Sequence, residues 1–197
     1  MGGHSKCKIV KLFVTRPRFP SRFRNMALLN IDPSFYVRKC IHDDLSAVMN
    51  INETCLPENY PLFFYEEILE KYPNSFLVAC TRNGGKEIIV GYIMWRLERG
   101  ISEFGVKIVK KGHLVSLAVM DKVRRHGVAS QLLTHGMAAI QAYGAREFVL
   151  EVRISNTPAI KLYTDTFTFE QKKVIAQYYR DSEDAFFMAR QADVPHI

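Results

Sequence analysis

The stretch Arg124-Arg125-His126-Gly127-Val128-Ala129 stands between an apolar run, LVSLAVM (114–120), and SQLLTHGMAAIQAY (130–143), whose spacing is helical. A chain that leaves a strand through two arginines and a glycine, then enters a helix through small residues, has the makings of an anion site. The first turn of a helix presents unpaired N–H groups and the positive end of its dipole. Gly127 lets the backbone come close to a diphosphate, Ala129 and Ser130 keep the first turn low, and Arg124 and Arg125 add charge. The pattern Arg-x-x-Gly-x-Ala is neither the dinucleotide fingerprint nor the P-loop, which disfavours enzymes of those types. An ordinary basic strand-to-helix turn would look the same, so the rest of the chain has to decide.

These residues need strands and helices in a definite order to hold them. The patterning predicts a strand over 35–40, a helix over 43–55 with an acidic cap, and a break at LPENYP (56–61) before a helix over 62–72. A hairpin follows, with strands at 75–81 and 87–98 about the turn signal Asn83-Gly84. Then come a strand (112–120), a helix (127–143), a strand (146–153), and a helix (156–166) with Asn156 as cap and Pro158 in its first turn. A last hairpin is expected from 172–179 and 184–190. The order βααβββαβαββ is an α/β fold with a largely antiparallel sheet and one parallel βαβ unit near its middle.

A chain of 197 residues, 48% hydrophobic and 24% charged, is one soluble domain able to bury a full core. Its longest apolar stretch, IIVGYIMW (88–95), is strand-sized, far short of the ~18 residues of a membrane span. Cys7, Cys40, Cys55 and Cys80 lack metal-ligand or disulfide spacing and read as reduced thiols of a cytoplasmic protein. The net charge of +7 is local: residues 1–25 carry seven basic groups and no acid, so residues 26–197 hold 20 of each sign. The folded part is therefore not a specific nucleic-acid binder. Residues 1–25 read as a basic leader ahead of a domain over 26–197: an upstream extension, an arm that touches the ribosome or RNA, or an acid-poor transit peptide.

The strand VSLAV followed by Arg124-x-x-Gly127-x-Ala129 resembles the acetyl-CoA motif of the GCN5-related N-acetyltransferases (GNAT). Asn156-x-x-Ala159-x-x-x-Tyr163 is similar to that family's fourth-helix motif. More narrowly, LPENYP, GHLVSLAV, LEVRISN and YYRDSEDAFFMAR resemble the catalytic subunit of NatA-type protein N-terminal acetyltransferases, of the arrest-defective type that includes an archaeal form; the likeness spans about 35–190. It implies a GNAT fold, a mixed, mostly antiparallel sheet whose fourth and fifth strands splay apart, flanked by about four helices, with acetyl-CoA as co-substrate and no metal. It implies that main-chain groups of Leu117, Ala118 and Val119 hold the pantetheine and polarise the thioester. Amides from Arg124 through Arg125, His126, Gly127, Val128 and Ala129 to Ser130 would hold the pyrophosphate. Asn156 would contact the pantetheine, and Tyr163 would give a proton to the departing thiolate. Asn156 as a cap and Tyr163 as a core tyrosine are the plainer alternatives.

Transfer to an amine needs a neutral nucleophile and something to take its proton. Period-two alternation puts His113, Val115, Leu117 and Val119 on one strand face, which sends His113 to the co-substrate's side. The base is expected to be Glu58 and His113, assisted by Glu151; a satisfied structural His113 and a solvated loop acid at Glu58 are the plainer alternatives. An α-amine (pKa ~7.8) is neutral at pH 7 roughly 300-fold more often than a lysine (~10.4). The resemblance makes Leu56, Pro57, Glu58, Asn59 and Tyr60 one wall for the acceptor peptide, and Tyr178 and Tyr179 the other. The implied partners are N-terminal segments of polypeptides, nascent chains at the ribosome among them, with no membrane partner; an auxiliary subunit stays open. So do a lysine, ribosomal-protein or polyamine acceptor, and a domain that binds acyl-CoA without turnover. Arg180 and Ser182 stand in YYRDSEDA where relatives commonly have YYADGEDA, and Thr168 stands where glycine is expected.

Overall fold

A computed structural model describes residues 35–193; the leader over 1–25 and Cys7 lie outside them. Among the described residues seven strands form one sheet in the order β1-β2-β3-β4-β5-β7-β6. They are β1 (Phe35–Lys39), β2 (Phe76–Asn83), β3 (Lys86–Ile101), β4 (Ile108–Val119), β5 (Glu147–Arg153), β6 (Glu170–Ile175) and β7 (Ala185–Gln191). The β4–β5 pair is parallel and every other pair is antiparallel. Helices α1 (Leu45–Cys55) and α2 (Leu62–Lys71) cover one face of the sheet, while α3 (Val128–Ala142) and α4 (Thr157–Lys161) cover the other. The expected element order and the mixed α/β architecture are both present.

Details differ, each for a local reason. Gly84 and Gly85 both have positive φ (+55° and +84°), so the two-residue β2–β3 turn is this pair and Asn83 ends the strand. Asp44 stands at the start of α1 but does not cap it. Its carboxylate instead accepts from the Ile41 amide (2.9 Å) and from Arg38 (2.6 and 2.9 Å). The helix expected over 156–166 is α4 followed by a wider π-type turn at Leu162–Thr166. β6 ends at Ile175, which leaves Tyr178 and Tyr179 in the β6–β7 loop and not on a strand.

The largest difference is in β4. Trp95 pairs with Leu114 and Met94 with Ser116, so Val115 is an extra residue, a β-bulge. The bulge resets the alternation. Leu114, Leu117 and Val119 pack on the α3 side, whereas Val115 and Ala118 pack against α1 and α2. His113 pairs with Arg96 and so faces the α1–α2 side, opposite to Leu117 and Val119. The single shared face read from the sequence is corrected by that one inserted residue.

Candidate active site

β4 and β5 pair at only three positions, Lys111–Glu147, Gly112–Phe148 and His113–Val149. Beyond them β4 stays with β3 and β5 with β7, and a cleft opens between Leu114–Val119 and Leu150–Arg153. Main-chain groups along the freed edges have no ladder partner across the gap; apart from the Val115 and Val119 carbonyls, which accept from Tyr60 and Arg124, this leaves them to an extended ligand.

On the α3 side a cavity of about 600 Å³ lies between the loop after β4 and α4. Of the expected co-substrate residues it is lined by Val119, Arg124, Arg125, Gly127, Val128, Ala129 and Ser130; Val123, Pro158, Lys161, Leu162, Asp165 and Thr166, which the sequence did not suggest, complete it. Gly127 precedes the 15-residue helix α3 with φ +83°, and a Cβ there would meet nothing within 4 Å. A left-handed residue in open space before a long helix is a seat for an anion on backbone amides. Arg125 is also left-handed, at φ +68°, strain of the kind that collects at functional sites. Arg124 departs from its expected part. Its Nε donates to the Val119 carbonyl (2.9 Å) and its Nη1 pairs with Asp121, so its charge is spent holding the loop to the strand end. His126 is exposed, with Nδ1 against the Arg124 carbonyl (2.9 Å).

Leu117, Ala118, Asn156 and Tyr163 do not line that cavity. The Leu117 and Ala118 side chains are in the core, so only their backbone can serve a ligand. Asn156 accepts from the Ala159 amide (3.3 Å), which is the capping role. The Tyr163 ring is fully buried and edges Phe169 (5.8 Å), yet its hydroxyl has no hydrogen-bond partner among the described residues. A buried hydroxyl left unsatisfied is costly, and burial pushes its pKa well above the ordinary tyrosine value, so it stays protonated. It is an orphan donor suited to a ligand atom.

On the α1–α2 side the titratable residues converge. His113 Nε2 donates to Glu151 (2.8 Å) and Nδ1 to Glu98 (2.9 Å), with Arg96 paired to Glu98 beside it. Burial would lower the His113 pKa, but the Glu151 and Glu98 carboxylates outweigh it and raise it to about 9. Burial likewise opposes ionisation of both acids; His113 nonetheless holds Glu151 below its ordinary value, and His113 with Arg96 brings Glu98 to about 2. An imidazolium with two carboxylates does not fit the expected role of His113 as a base at neutral pH.

The loop 56–61, expected as one wall, lies between α1 and α2. Glu58 is buried and Pro57 and Asn59 are exposed, while Leu56 packs in the core. Asn52 donates to the Glu58 carbonyl (2.7 Å) and to Asn59 Oδ1 (3.0 Å) and accepts from Tyr92, whose hydroxyl also meets Ser116 (2.8 Å). The Tyr60 hydroxyl donates to the carbonyl of the bulge residue Val115 (3.3 Å). Tyr178 and Tyr179, expected as the other wall, are buried with their rings edge to face at 5.0 Å.

Arg153, missed by the sequence reading, joins the walls. Buried at 3% exposure, it donates to Glu58 (2.8 Å), Asp181 (2.8 and 3.0 Å) and Glu183, and its guanidinium lies 4.0 Å from the Tyr179 ring centre. The available signal was an arginine at the end of a strand otherwise made of apolar residues and two glutamates, in EFVLEVRIS.

Residues 45–169 match the model of the Acetyltransferase (GNAT) family. The N-alpha-acetyltransferase of Saccharolobus solfataricus is 44% identical over 159 residues, 79% of this chain and 92% of that protein. The N-terminal acetyltransferase A complex catalytic subunit NAA10 of Arabidopsis thaliana is 38% identical over 155 residues, 78% of this chain and 76% of that protein. The crystal structure of Ard1 from Thermoplasma volcanium superposes with a TM-score of 0.66 at 26% identity, over 81% of this chain and 99% of that one.

Proposed function

The chain belongs to the acetyltransferase (GNAT) family, and we propose that it uses this cleft to move the acetyl group of acetyl-CoA onto the free α-amine at the N-terminus of polypeptides. The observation that carries the reading is the parting of β4 and β5 past His113 and Val149. It leaves an anion seat at one mouth, two tyrosine-bearing walls at the other and open strand edges between them. The curated N-alpha-acetyltransferase relatives support an α-amine as the acceptor, and so does the larger neutral fraction of such an amine at pH 7. Nascent chains at the ribosome in the cytoplasm are the substrates we infer.

Acetyl transfer makes a bond from the amine nitrogen to the carbonyl carbon and breaks the carbon–sulfur bond. One proton leaves the amine and one reaches the departing sulfur. The amides from Gly127 to Ser130, at the positive end of α3, hold the pyrophosphate. The freed edge of β4 at Leu117–Val119 pairs with the pantetheine and polarises the thioester carbonyl. Asn156 adds a contact while it caps its helix. The Tyr163 hydroxyl, kept protonated by burial, donates to the departing thiolate. Held between the Glu151 and Glu98 carboxylates, which favour its imidazolium form, His113 is a poor proton acceptor, and we assign the amine's proton, passed through solvent, to the Glu58 carboxylate. Glu151 and Glu98 fix His113 as a positive charge in the floor of the acceptor groove.

Two measurements test this reading. The first is mass spectrometry of a peptide panel, beginning with Ser, Ala, Glu or Met-Leu, incubated with acetyl-CoA beside an N-blocked peptide bearing an internal lysine. Acetylation of the free α-amines alone is the expected result; modification of the blocked peptide alone would make the acceptor a lysine. The second is Gly127→Val. A β-branched residue at φ +83° is strained and fills the seat, so the acetyl-CoA KM is expected to rise about tenfold or more while the peptide KM holds. An unchanged acetyl-CoA KM would remove the seat.

A further inference from the structure

The β3–β4 hairpin projects past the end of α3 and sorts its side chains unusually. Its loop turns one carboxylate and one aromatic ring inward. Glu103 pairs with Lys111 (2.6 Å), while Phe104 packs toward Val149, Phe187 and Ala189 with Lys172 3.7 Å over its ring. The loop is braced: Ser102 and the Glu103 amide both bond Glu147, and the Ser102 amide donates to the Lys107 carbonyl (2.9 Å). What remains outside is aliphatic and cationic. Ile101, Val106 and Ile108 are 69%, 101% and 75% exposed. Ile101 pairs with Ile108 and Arg99 with Lys110, on the face that α3 covers further along the hairpin. Arg99, Lys107 and Lys110 are exposed, as is Arg146, whose amide donates to the Lys110 carbonyl (2.8 Å). No ion pair joins these four cations to a carboxylate among the described residues.

We propose that this hairpin tip docks on an anionic lipid surface, its aliphatic side chains entering the apolar layer and its cations meeting the headgroups. Isolated exposed apolar residues need no explanation, but three branched ones together on a braced tip do. The tip offers three aliphatic and four basic residues, well under the ~20–30 residues a side of a stable protein interface. Entry into a fluid layer requires no complementary shape. A nucleic acid would use the cations and leave the aliphatics in water, because base recognition wants stacking rings or hydrogen-bonding side chains, and the one ring of this loop is turned inward. Anionic leaflets attract clustered Lys and Arg, and apolar insertion adds to that attraction. The docking face is opposite to His113, so a bound surface leaves the acceptor groove open. Such docking is independent of the transfer reaction and replaces the expectation of no membrane partner.

The test is co-sedimentation of the full chain with vesicles of phosphatidylcholine alone and of phosphatidylcholine mixed with phosphatidylglycerol, beside Val106→Ser/Ile108→Ser and Arg99→Gln/Lys110→Gln. Residues 1–25 add basic charge of their own, so the aliphatic pair is the deciding variant. The wild type is expected to pellet with the mixed vesicles and not with the neutral ones, and each double variant to bind about tenfold more weakly or less. Acetylation of a soluble peptide should be unchanged in all of them. Absence of pelleting would overturn the proposal. So would loss in the charge variant with none in the aliphatic one, which would mark a general polyanion site such as one for RNA, a result that a homopolymer filter-binding assay would show directly.

Discussion

Arg153→Met is expected to cost about 3–5 kcal/mol of stability and most of the acetyltransferase activity. The guanidinium is buried at 3% exposure with Glu58 buried against it at 6%, and removing one member of such a pair leaves a desolvated charge facing its lost partner. Three separate segments lose their common tie: the α1–α2 loop through Glu58, the end of β5, and the β6–β7 loop through Asp181, Glu183 and the face of Tyr179. Both walls of the acceptor groove should then shift while the acetyl-CoA seat, built from α3 and α4, stays in place. The peptide KM is expected to rise about tenfold or more with the acetyl-CoA KM within about twofold, a split that general loosening would not give. Arg153→Lys separates charge from geometry. A lysine cannot fork to two carboxylates and stack on a ring at once, so it should recover part of the melting temperature and little of the peptide affinity. Equal rises in both KM values in the two variants would show Arg153 to be a core residue with no bearing on the walls.

The seat proposed for the co-substrate was legible because its parts are local. A glycine, a small residue and a helix start are adjacent in sequence, and their geometry depends on that adjacency. The order of elements was legible for the same reason: IIVGYIMW by its short apolar length and LFFYEEILEK by its helical spacing carry their signal within themselves. The acceptor side was legible only as a set of residues. Glu58 and Tyr179 meet on Arg153, and His113 pairs with Glu151 beside Glu98 and Arg96, but no spacing in the chain connects Arg153 to Glu58, 95 residues away. The bulge at Val115 was invisible as well. Valine is an ordinary strand residue, and the doubled step exists only in the register against Met94 and Trp95. One residue of register moved His113 to the opposite face, and the charge of His113 followed from the neighbours it met there.

That charge makes the second large prediction. The His113 pKa stands at about 9 in the folded chain, against ~6.5 for a histidine in an unfolded one. A raised folded pKa contributes stability that is fully present below about pH 6.5 and is lost as pH rises through about 9. Unfolding free energy is therefore expected to fall by up to about 3 kcal/mol across that window, read as a declining urea midpoint. His113→Gln should be flat there and weaker than wild type at pH 6.5, because Glu98 and Glu151 then face each other without the cation between them. The kinetic consequence runs the same way. If His113 holds its proton through neutral pH, the rise of kcat/KM from pH 6 to 8 belongs to the substrate amine, with its pKa of ~7.8. It should follow that amine when peptides with differently basic N-termini are compared, and it should keep its midpoint in the glutamine variant, at a lower plateau. An inflection near pH 6.5 in the wild type that disappears in His113→Gln would reverse the assignment, making His113 the base and Glu58 a wall residue alone.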